Sequence, residues 1–253
     1  MERITGLPAL LIHRRLTRAF AASLALVAVI IAPISSPGAS AVQPRLAPCS
    51  VVANGIAGAT IDGQLITVIA LSTNSETATL NFYARQGGCL RLADGPYPAM
   101  LGRNGLSTHH HEGDNTTPIG LFGIQSTMYG VLPNPGVAYQ YHRLVCGDWW
   151  DEQSTSALYN HFVHVPCGTT PNFGGDSEAL WQTVPSYDYL AVIAYNRHPI
   201  VPGRGSAIFL HVSDGQATAG CVSIPVADLL RILRALRPSQ RPLIDITTRQ
   251  LAP

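Results

Sequence analysis

Short runs of apolar and β-branched residues recur along the chain after residue 60, separated by glycine, asparagine and proline. Three of these runs have the length and alternation of β-strands, at residues 65–71, 77–83 and 90–92. The Asn-Ser and Gly-Gly pairs between them are typical of turns in an antiparallel sheet. Two further runs, at residues 189–195 and 206–212, predict a second set of strands. The pattern therefore predicts a mostly β fold.

One segment near the C-terminus has helical periodicity instead. Residues 225–236 carry apolar side chains along one stripe and arginines outside it, the stripe being Val226, Leu229, Leu230, Leu233 and Leu236. Pro238 follows directly and marks the end. The pattern predicts one C-terminal amphipathic helix, followed by a last strand at 243–246. Residues 96–135 are dense in Gly, Pro, Asn and Thr, and predict strands joined by long loops.

The first 41 residues have the pattern of a secretory signal peptide. A basic region at 14–18 precedes an apolar run at 19–34, and Ala41 ends a small-x-small sequence of the kind that signal peptidase cleaves. The run is short for a bilayer span of about 20 residues, so cleavage is favoured over a retained anchor. We expect a signal peptide at 1–41, a lead-in at 42–60 and one domain at 61–249, outside the cytoplasm.

Composition and charge exclude several classes of function. All 16 basic residues are arginines, and without lysine the chain has no Schiff base, Ser–Lys dyad or P-loop lysine. Cleavage after residue 41 would remove four arginines and one glutamate, which leaves 12 basic and 14 acidic residues. A near-neutral chain without a basic block lacks the footprint of a nucleic-acid-binding protein.

The cysteine count points to one spare thiol. Export makes disulfides the expected state of cysteines, and the chain has an odd number of them, namely Cys49, Cys89, Cys146, Cys167 and Cys221. The pairing that we favour is Cys49–Cys89 and Cys146–Cys167. This pairing leaves Cys221 free.

The segment 206–225 carries the strongest candidate chemistry. Its first part reads as a strand that ends near His211, and a turn at Asp214-Gly215 can fold the chain back to bring Cys221 beside the imidazole. A thiol with a neighbouring base is what nucleophilic acyl transfer through sulfur requires. The alternative is that Cys221 is an inert buried residue and His211 a structural one.

Two blocks of the sequence resemble the L,D-transpeptidase family (YkuD-type catalytic domain). The first comprises Gly102-Arg-Asn-Gly105 and residues 112–122, similar to the family's strand, loop and Thr-Pro-x-Gly-x-Phe segment. The second, from His211 to Cys221, is similar to the family's histidine strand and Gly-Cys nucleophile. The likeness extends over about 61–246. Residues 195–196 and 205–209 also resemble the exported subgroup of high-GC Gram-positive bacteria.

The resemblance implies a fold of β-sandwich-like mixed sheets and an L,D-transpeptidase-like catalytic domain at 61–249. It implies that Cys221 is the nucleophile, that His211 is its base and that the carbonyl of Val212 orients the imidazole. The backbone amides of Ala219, Gly220 and Cys221 would hold the developing oxyanion.

The implied substrates are peptidoglycan stem peptides. A tetrapeptide stem would lose its terminal D-Ala and form a thioester, and the third-residue amine of another stem would resolve it into a 3→3 cross-link. The resemblance implies no cofactor and acylation by β-lactams of the carbapenem type. We expect a monomer in the cell wall or extracytoplasmic space.

The sequence departs from the family pattern beside the nucleophile. Thr218-Ala219-Gly220-Cys221 has alanine where the family has histidine, which removes a substrate contact, and the interval from His211 to Cys221 is short. If water resolves the thioester, the enzyme is an L,D-carboxypeptidase. A non-catalytic wall-binding module of the same fold is a further alternative. A papain-like protease is disfavoured because its cysteine precedes its histidine.

Three other groups of residues carry weaker alternatives. Cys146, His161, His164 and Cys167 have spacings that zinc accepts, although export favours a disulfide. His109, His110 and His111 are expected to lie in a solvated loop. Trp149 and Trp150, with the neighbouring carboxylates of Asp148, Asp151 and Glu152, are candidates for a sugar-binding platform, and one of the two tryptophans is expected in the core.

Overall fold

The computed structural model describes residues 63–87, 89–174 and 177–249. The predicted signal peptide, the lead-in at 42–60 and Cys49 lie outside the described residues. The described elements are one α-helix, α1 at Val226–Ala235, and the strands β1 Gln64–Ala70, β2 Thr77–Gln86, β3 Cys89–Met100, β4 Leu106–Ser107, β5 Thr117–Pro118, β6 Gly120–Gly130, β7 Gln140–Arg143, β8 Asp148–Asp151, β9 His161–His164, β10 Glu178–Ala179, β11 Leu190–Ile193, β12 Phe209–Val212, β13 Val222–Ile224 and β14 Leu243–Thr248.

The main sheet closes on itself. Its strand order is β11-β12-β13-β3-β2-β1-β14-β6-β7, and β6 also pairs with β11. Closure is possible because β6 is 11 residues long. Residues 120–123 of β6 pair with β14, whereas the part from Ile124 to Tyr129 pairs with β11. The mostly β prediction agrees with this architecture, but the sandwich-like arrangement of sheets is not confirmed.

Alternation along the strands separates two apolar clusters. In β12, Leu210 and Val212 pack in the larger cluster, which also takes Ile66 and Val68 of β1. Phe209 points the other way, into a second cluster that includes Cys221. Full burial of one such side chain contributes about 1.5–3 kcal/mol. One face of β12 therefore packs in the main core, and the other packs in the cluster that surrounds the thiol.

The helix lies within the segment predicted for it, but its buried face differs slightly from the predicted apolar stripe. Leu229 and Leu233 are buried as predicted, and Ile232 is buried with them. Val226 is 43% exposed, because it forms the first turn where the chain leaves β13 and has not yet reached the core. Across the described ranges, no helix is long and apolar enough to cross a bilayer.

A small sheet of order β10-β8-β9 packs beside the closed sheet. Its hairpin, β8–β9, is flanked by a disulfide between Cys146 and Cys167, whose Cα atoms are 5.2 Å apart. This is one of the two predicted pairs. Cys89 is also disulfide-bonded, and Cys49, the partner predicted for it, lies outside the described residues.

Candidate active site

The candidate nucleophile and base lie on two neighbouring parallel strands. β12 ends in His211-Val212, and the next loop returns the chain to β13, which begins directly after Cys221. The register of the two strands places His211 opposite Ser223. Because side chains alternate along a strand, Cys221 and His211 project from the same face, two positions apart.

Cys221 is a free thiol in a buried position. Its side chain is 8% exposed. The Sγ–H group donates to the carbonyl of Ala207 at 3.2 Å, and Sγ accepts the N–H of Phe209 at 3.3 Å. Burial raises the pKa of the Cys221 thiol, and the negative charge of Glu178 raises it further. The resting sulfur is therefore protonated at neutral pH.

His211 is held by backbone oxygen. Its Nδ1–H donates to the carbonyl of Val212 at 2.8 Å, the acceptor that the family resemblance implies. The ring of Tyr187 meets the imidazole edge-on at 5.5 Å. Burial lowers the pKa of His211 despite the bond to Val212, so the imidazole is neutral at rest.

Imidazole and thiol are neighbours without a direct contact. Among the hydrogen bonds of the described residues, none joins His211 to Cys221, whose thiol hydrogen points to Ala207 instead. Catalytic hydrogen bonds are often long in free enzymes and tighten when substrate binds. Acyl transfer here requires the thiol to turn from the Ala207 carbonyl toward the imidazole.

Ala207 and Asn160 fix the wall behind the thiol. Ala207 has φ of +52°, a left-handed conformation that costs about 1 kcal/mol for a residue with a Cβ. Its N–H donates to Asn160 Oδ1 at 3.2 Å, and the same oxygen accepts the indole N–H of Trp150 at 2.9 Å. Asn160 Nδ2 in turn donates to the carbonyl of Asn196 at 2.9 Å. Strained backbone held by buried hydrogen bonds is typical of functional sites.

The loop before Cys221 requires glycine at position 220. Gly220 has φ of +151°, and a Cβ there would lie 3.0 Å from the carbonyl oxygen of Thr116. Its N–H donates to Thr218 Oγ1 at 3.1 Å, and that hydroxyl donates to the carbonyl of Cys221 at 2.7 Å. Ala219, Gly220 and Cys221, the three predicted oxyanion residues, all line the cavity described next.

Cys221 opens onto a cavity of about 390 Å³. Three carboxylate side chains share its wall with the thiol, those of Glu112, Glu152 and Glu178. No arginine is among the described residues that line it. Sequence reasoning quoted Glu112 within a motif and named Glu152 only as a carboxylate beside the tryptophan pair, and it missed Glu178. Glu152 and Glu178 come from separate segments and carry no local motif that points to this cavity.

The two sequence blocks meet at this cavity. The N–H of Gly102 donates to Thr117 Oγ1 at 2.8 Å, and Gly102 forms a parallel bridge with Thr218. Glu112 Oε2 accepts the hydroxyl of Ser206 at 2.8 Å and that of Tyr159. The first block thus supports both the loop of the nucleophile and one carboxylate of the cavity.

His110 corrects the expectation of a solvated histidine loop. It is 6% exposed, its Nδ1 lies 2.9 Å from Asp114 Oδ1, and its ring meets that of Tyr195 at 5.1 Å. Burial lowers the pKa of His110. Its neighbours His109 and His111 are exposed, as expected. The histidine run therefore contributes one buried wall residue of the cavity.

The zinc-site alternative at Cys146, His161, His164 and Cys167 does not agree with the partners that these residues have in the structure. The Cys146–Cys167 disulfide removes two of the four ligands of the zinc alternative. His164 Nδ1 lies 2.6 Å from Asp148 Oδ1. Within the described stretches no group of three or more His, Cys, Asp or Glu has the arrangement of a metal site.

The tryptophan pair does not form the predicted sugar platform as a unit. Trp150 is 2% exposed, and its ring packs edge-on against Phe209 at 5.0 Å. Trp149 is partly buried and packs edge-on against Phe173 and Trp181. A buried indole has no open face for a sugar ring, so Trp150 is the core member that the sequence predicted.

Comparison with known proteins gives one match. The family model for YkuD, the L,D-transpeptidase catalytic domain, matches residues 70–244, which is more than half of the chain. No curated protein and no solved structure matches the chain.

Proposed function

Because the chain belongs to the YkuD family of L,D-transpeptidase catalytic domains, we propose that it is an exported cysteine acyltransferase that joins peptidoglycan stems through 3→3 cross-links. The observation that carries this proposal is the free thiol of Cys221 at the wall of a cavity of about 390 Å³. His211 lies on the neighbouring strand and projects from the same face.

The first step is acylation of Cys221. His211 accepts the thiol proton, and Sγ attacks the carbonyl between the third residue of a tetrapeptide stem and its terminal D-Ala. The carbonyl of Val212 stabilises the imidazolium that forms, because it already accepts the Nδ1–H at 2.8 Å. The amides of Ala219 and Cys221 face the developing oxyanion, and one such donor is worth about 3 kcal/mol. Gly220, the third donor implied by the resemblance, already donates its N–H to Thr218 Oγ1 at 3.1 Å. His211 returns the proton to D-Ala, which leaves a thioester.

The second step is transfer of the acyl group to an amine. The third-residue amine of another stem attacks the thioester and forms the 3→3 cross-link. We place the reaction in the cell wall, with a monomeric enzyme and without a cofactor, and we propose that carbapenem-type β-lactams acylate the same sulfur.

Two other functions use the same fold. Transfer to water would make the protein an L,D-carboxypeptidase, and a wall-binding module would use the cavity without chemistry. A binding module needs no free thiol with an imidazole on the neighbouring strand. The position of Cys221 therefore favours an enzyme.

The first test is the intact mass of the protein after incubation with a disaccharide-tetrapeptide. We expect an adduct equal to the stem minus D-Ala on the wild type and no adduct on Cys221→Ala. Cys221→Ala should fold normally because Cys221 is outside any disulfide. The released products separate cross-linking from trimming. An unmodified wild type that releases no D-Ala would contradict the proposal and favour the wall-binding module.

A further inference from the structure

Glu178 lies beside the nucleophile on an independent element. It begins β10, where it pairs with Trp150 of β8, and its side chain lines the same cavity as the thiol of Cys221. Its Oε2 accepts the hydroxyl of Tyr187, whose ring contacts His211 edge-on. Glu178 is a half-buried residue, and its carboxylate, which accepts this hydrogen bond, lies in the wall of the cavity that an acyl acceptor must enter.

The second half of the reaction needs a base that the acceptor can reach. An ammonium group is not nucleophilic until it loses a proton. His211 hydrogen-bonds to the backbone of Val212, and it is not among the described residues that line the cavity. Glu178 does line the cavity, so an amine that occupies the cavity can reach its carboxylate.

We propose that Glu178 is a second catalytic residue, which takes the proton of the acceptor amine and so directs the thioester to an amine acceptor. This inference rests on the proposed function, because it concerns the resolution of the Cys221 thioester. Glu112 and Glu152, in the wall of the same cavity, add negative charge that favours entry of a cationic acceptor.

The proton balance of the step is complete. The acceptor enters as R–NH₃⁺ and transfers one proton to the Glu178 carboxylate. The free amine attacks the thioester carbonyl, the C–S bond breaks, and a second nitrogen proton passes to the sulfur and restores the Cys221 thiol. The third hydrogen remains on the new amide, and Glu178 releases its proton to solvent.

The neighbours of Glu178 set the direction of its pH dependence. Burial raises the pKa of the Glu178 carboxyl, and the hydrogen bond from Tyr187 lowers it. The other titratable groups near this pair are Cys221 and Glu152, with His211 beyond the tyrosine ring. The base form accumulates as pH rises through the raised pKa. Transfer to an amine should therefore increase across that range.

The experiment measures the two steps separately. The acyl-enzyme of the wild type and of Glu178→Gln is formed with a disaccharide-tetrapeptide. Its decay is then followed by intact mass from pH 5 to 9, with and without a diaminopimelate-containing stem as acceptor. We expect Glu178→Gln to acylate but to lose about 100-fold in amine-dependent decay. Its decay in water should change little, and the rise with pH should disappear.

Two further variants distinguish a catalytic from a structural role. Tyr187→Phe removes the donor that stabilises the carboxylate, so the rise in amine transfer should move to higher pH. Glu76→Gln removes the same charge at an exposed position outside the cavity, and it should leave both the rate and the midpoint of the rise unchanged. If Glu178→Gln does not fold, Glu178→Asp keeps a carboxylate at a shorter reach and should retain the pH-dependent rise at a lower rate.

The outcomes separate the two proposals. If the wild type forms no acyl-enzyme, the proposed function is wrong, and the role of Glu178 with it. If the wild type cross-links and Glu178→Gln does so at the same rate and pH dependence, only the role of Glu178 is overturned. Equal loss of acylation and of amine transfer in Glu178→Gln would likewise overturn it and indicate a structural residue.

Discussion

At the scale of single residues, the thiol of Cys221 and the imidazole of His211 are both kept neutral by burial. Burial raises the pKa of the thiol and lowers the pKa of the imidazole, so a resting ion pair is disfavoured in both directions. The carbonyl of Val212, which accepts the Nδ1–H, stabilises the imidazolium and so opposes the effect of burial on the pKa of His211, but not on that of the thiol. In the proposed reaction, the charges therefore form when substrate binds and the thiol leaves its hydrogen bond to Ala207.

This arrangement predicts the pH dependence of acylation. His211 stays in its base form to pH values below about 6.5, the ordinary pKa of imidazole, because burial lowers its pKa. Acylation of Cys221 by a carbapenem, followed by intact mass, should therefore keep its rate down to that pH and fall only below it. His211→Ala should lower the rate by at least about 100-fold and remove that fall.

Gln216 offers a control for the histidine variant. It lies exposed in the loop between the two strands, and Gln216→Ala should acylate at the wild-type rate. A decline in the wild-type rate that is centred at pH 6.5 or above would show that His211 is not shielded as described. Unchanged acylation in His211→Ala would exclude it as the base.

At the scale of elements, the β8–β9 hairpin supports the site from behind. It carries Trp150, and Asn160 directly precedes β9 and binds the N–H of Ala207. The Cys146–Cys167 disulfide ties the two ends of this hairpin together. A change at the disulfide should therefore affect both stability and the position of Ala207.

The paired variant Cys146→Ser/Cys167→Ser tests this link. In the chain-entropy model, loss of a disulfide across 21 residues lowers the free energy of unfolding by about 3 kcal/mol. We expect that loss in urea unfolding, together with slower acylation of Cys221. Val145→Ser, at a half-exposed position beside the bridge, is the control and should change neither. If the paired variant is acylated at the wild-type rate, the disulfide-linked hairpin does not determine the geometry of the site.

The elements that the sequence predicted are those whose apolar residues do the packing. β1 and β2 alternate or are β-branched, and both lie within two or three residues of their predicted bounds. The sequence pattern did not predict β8 and β9, because these strands consist mainly of polar and aromatic residues. Asp148, for example, is fully buried yet bonds to His142 and His164. Such strands are stabilised by side-chain hydrogen bonds that periodicity does not reveal.

At the scale of the whole molecule, closure of the sheet depends on its last strand. β14 lies between β1 and β6, and its residues Ile244 and Ile246 are fully buried. Removal of residues 243–253 would expose two strand edges and part of the core. We expect that truncation to abolish folding, as seen by circular dichroism and loss of soluble protein. Removal of residues 250–253 alone leaves β14 intact and should not.

Closure also explains why the sequence revealed only half of the site. The His211–Cys221 pair lies within one segment of the chain, so local pattern was enough to suggest it. The carboxylates of Glu112, Glu152 and Glu178 reach the cavity from three distant segments. Their meeting depends on the strand order, on the hairpin and on the conformation of Ala207. None of these three features can be inferred from the sequence pattern alone.

The burial of Cys221 also affects how readily its thiol is oxidised. Oxidation to sulfenic acid and exchange with other disulfides both proceed through an accessible thiolate. Cys221 is only 8% exposed, and its thiol is protonated at rest and hydrogen-bonded to Ala207, which limits the access of peroxide or of a foreign disulfide. If the protein is exported as proposed, it meets such oxidants without the reducing systems of the cytoplasm. The same burial that delays ionisation would then preserve the thiol between turnovers.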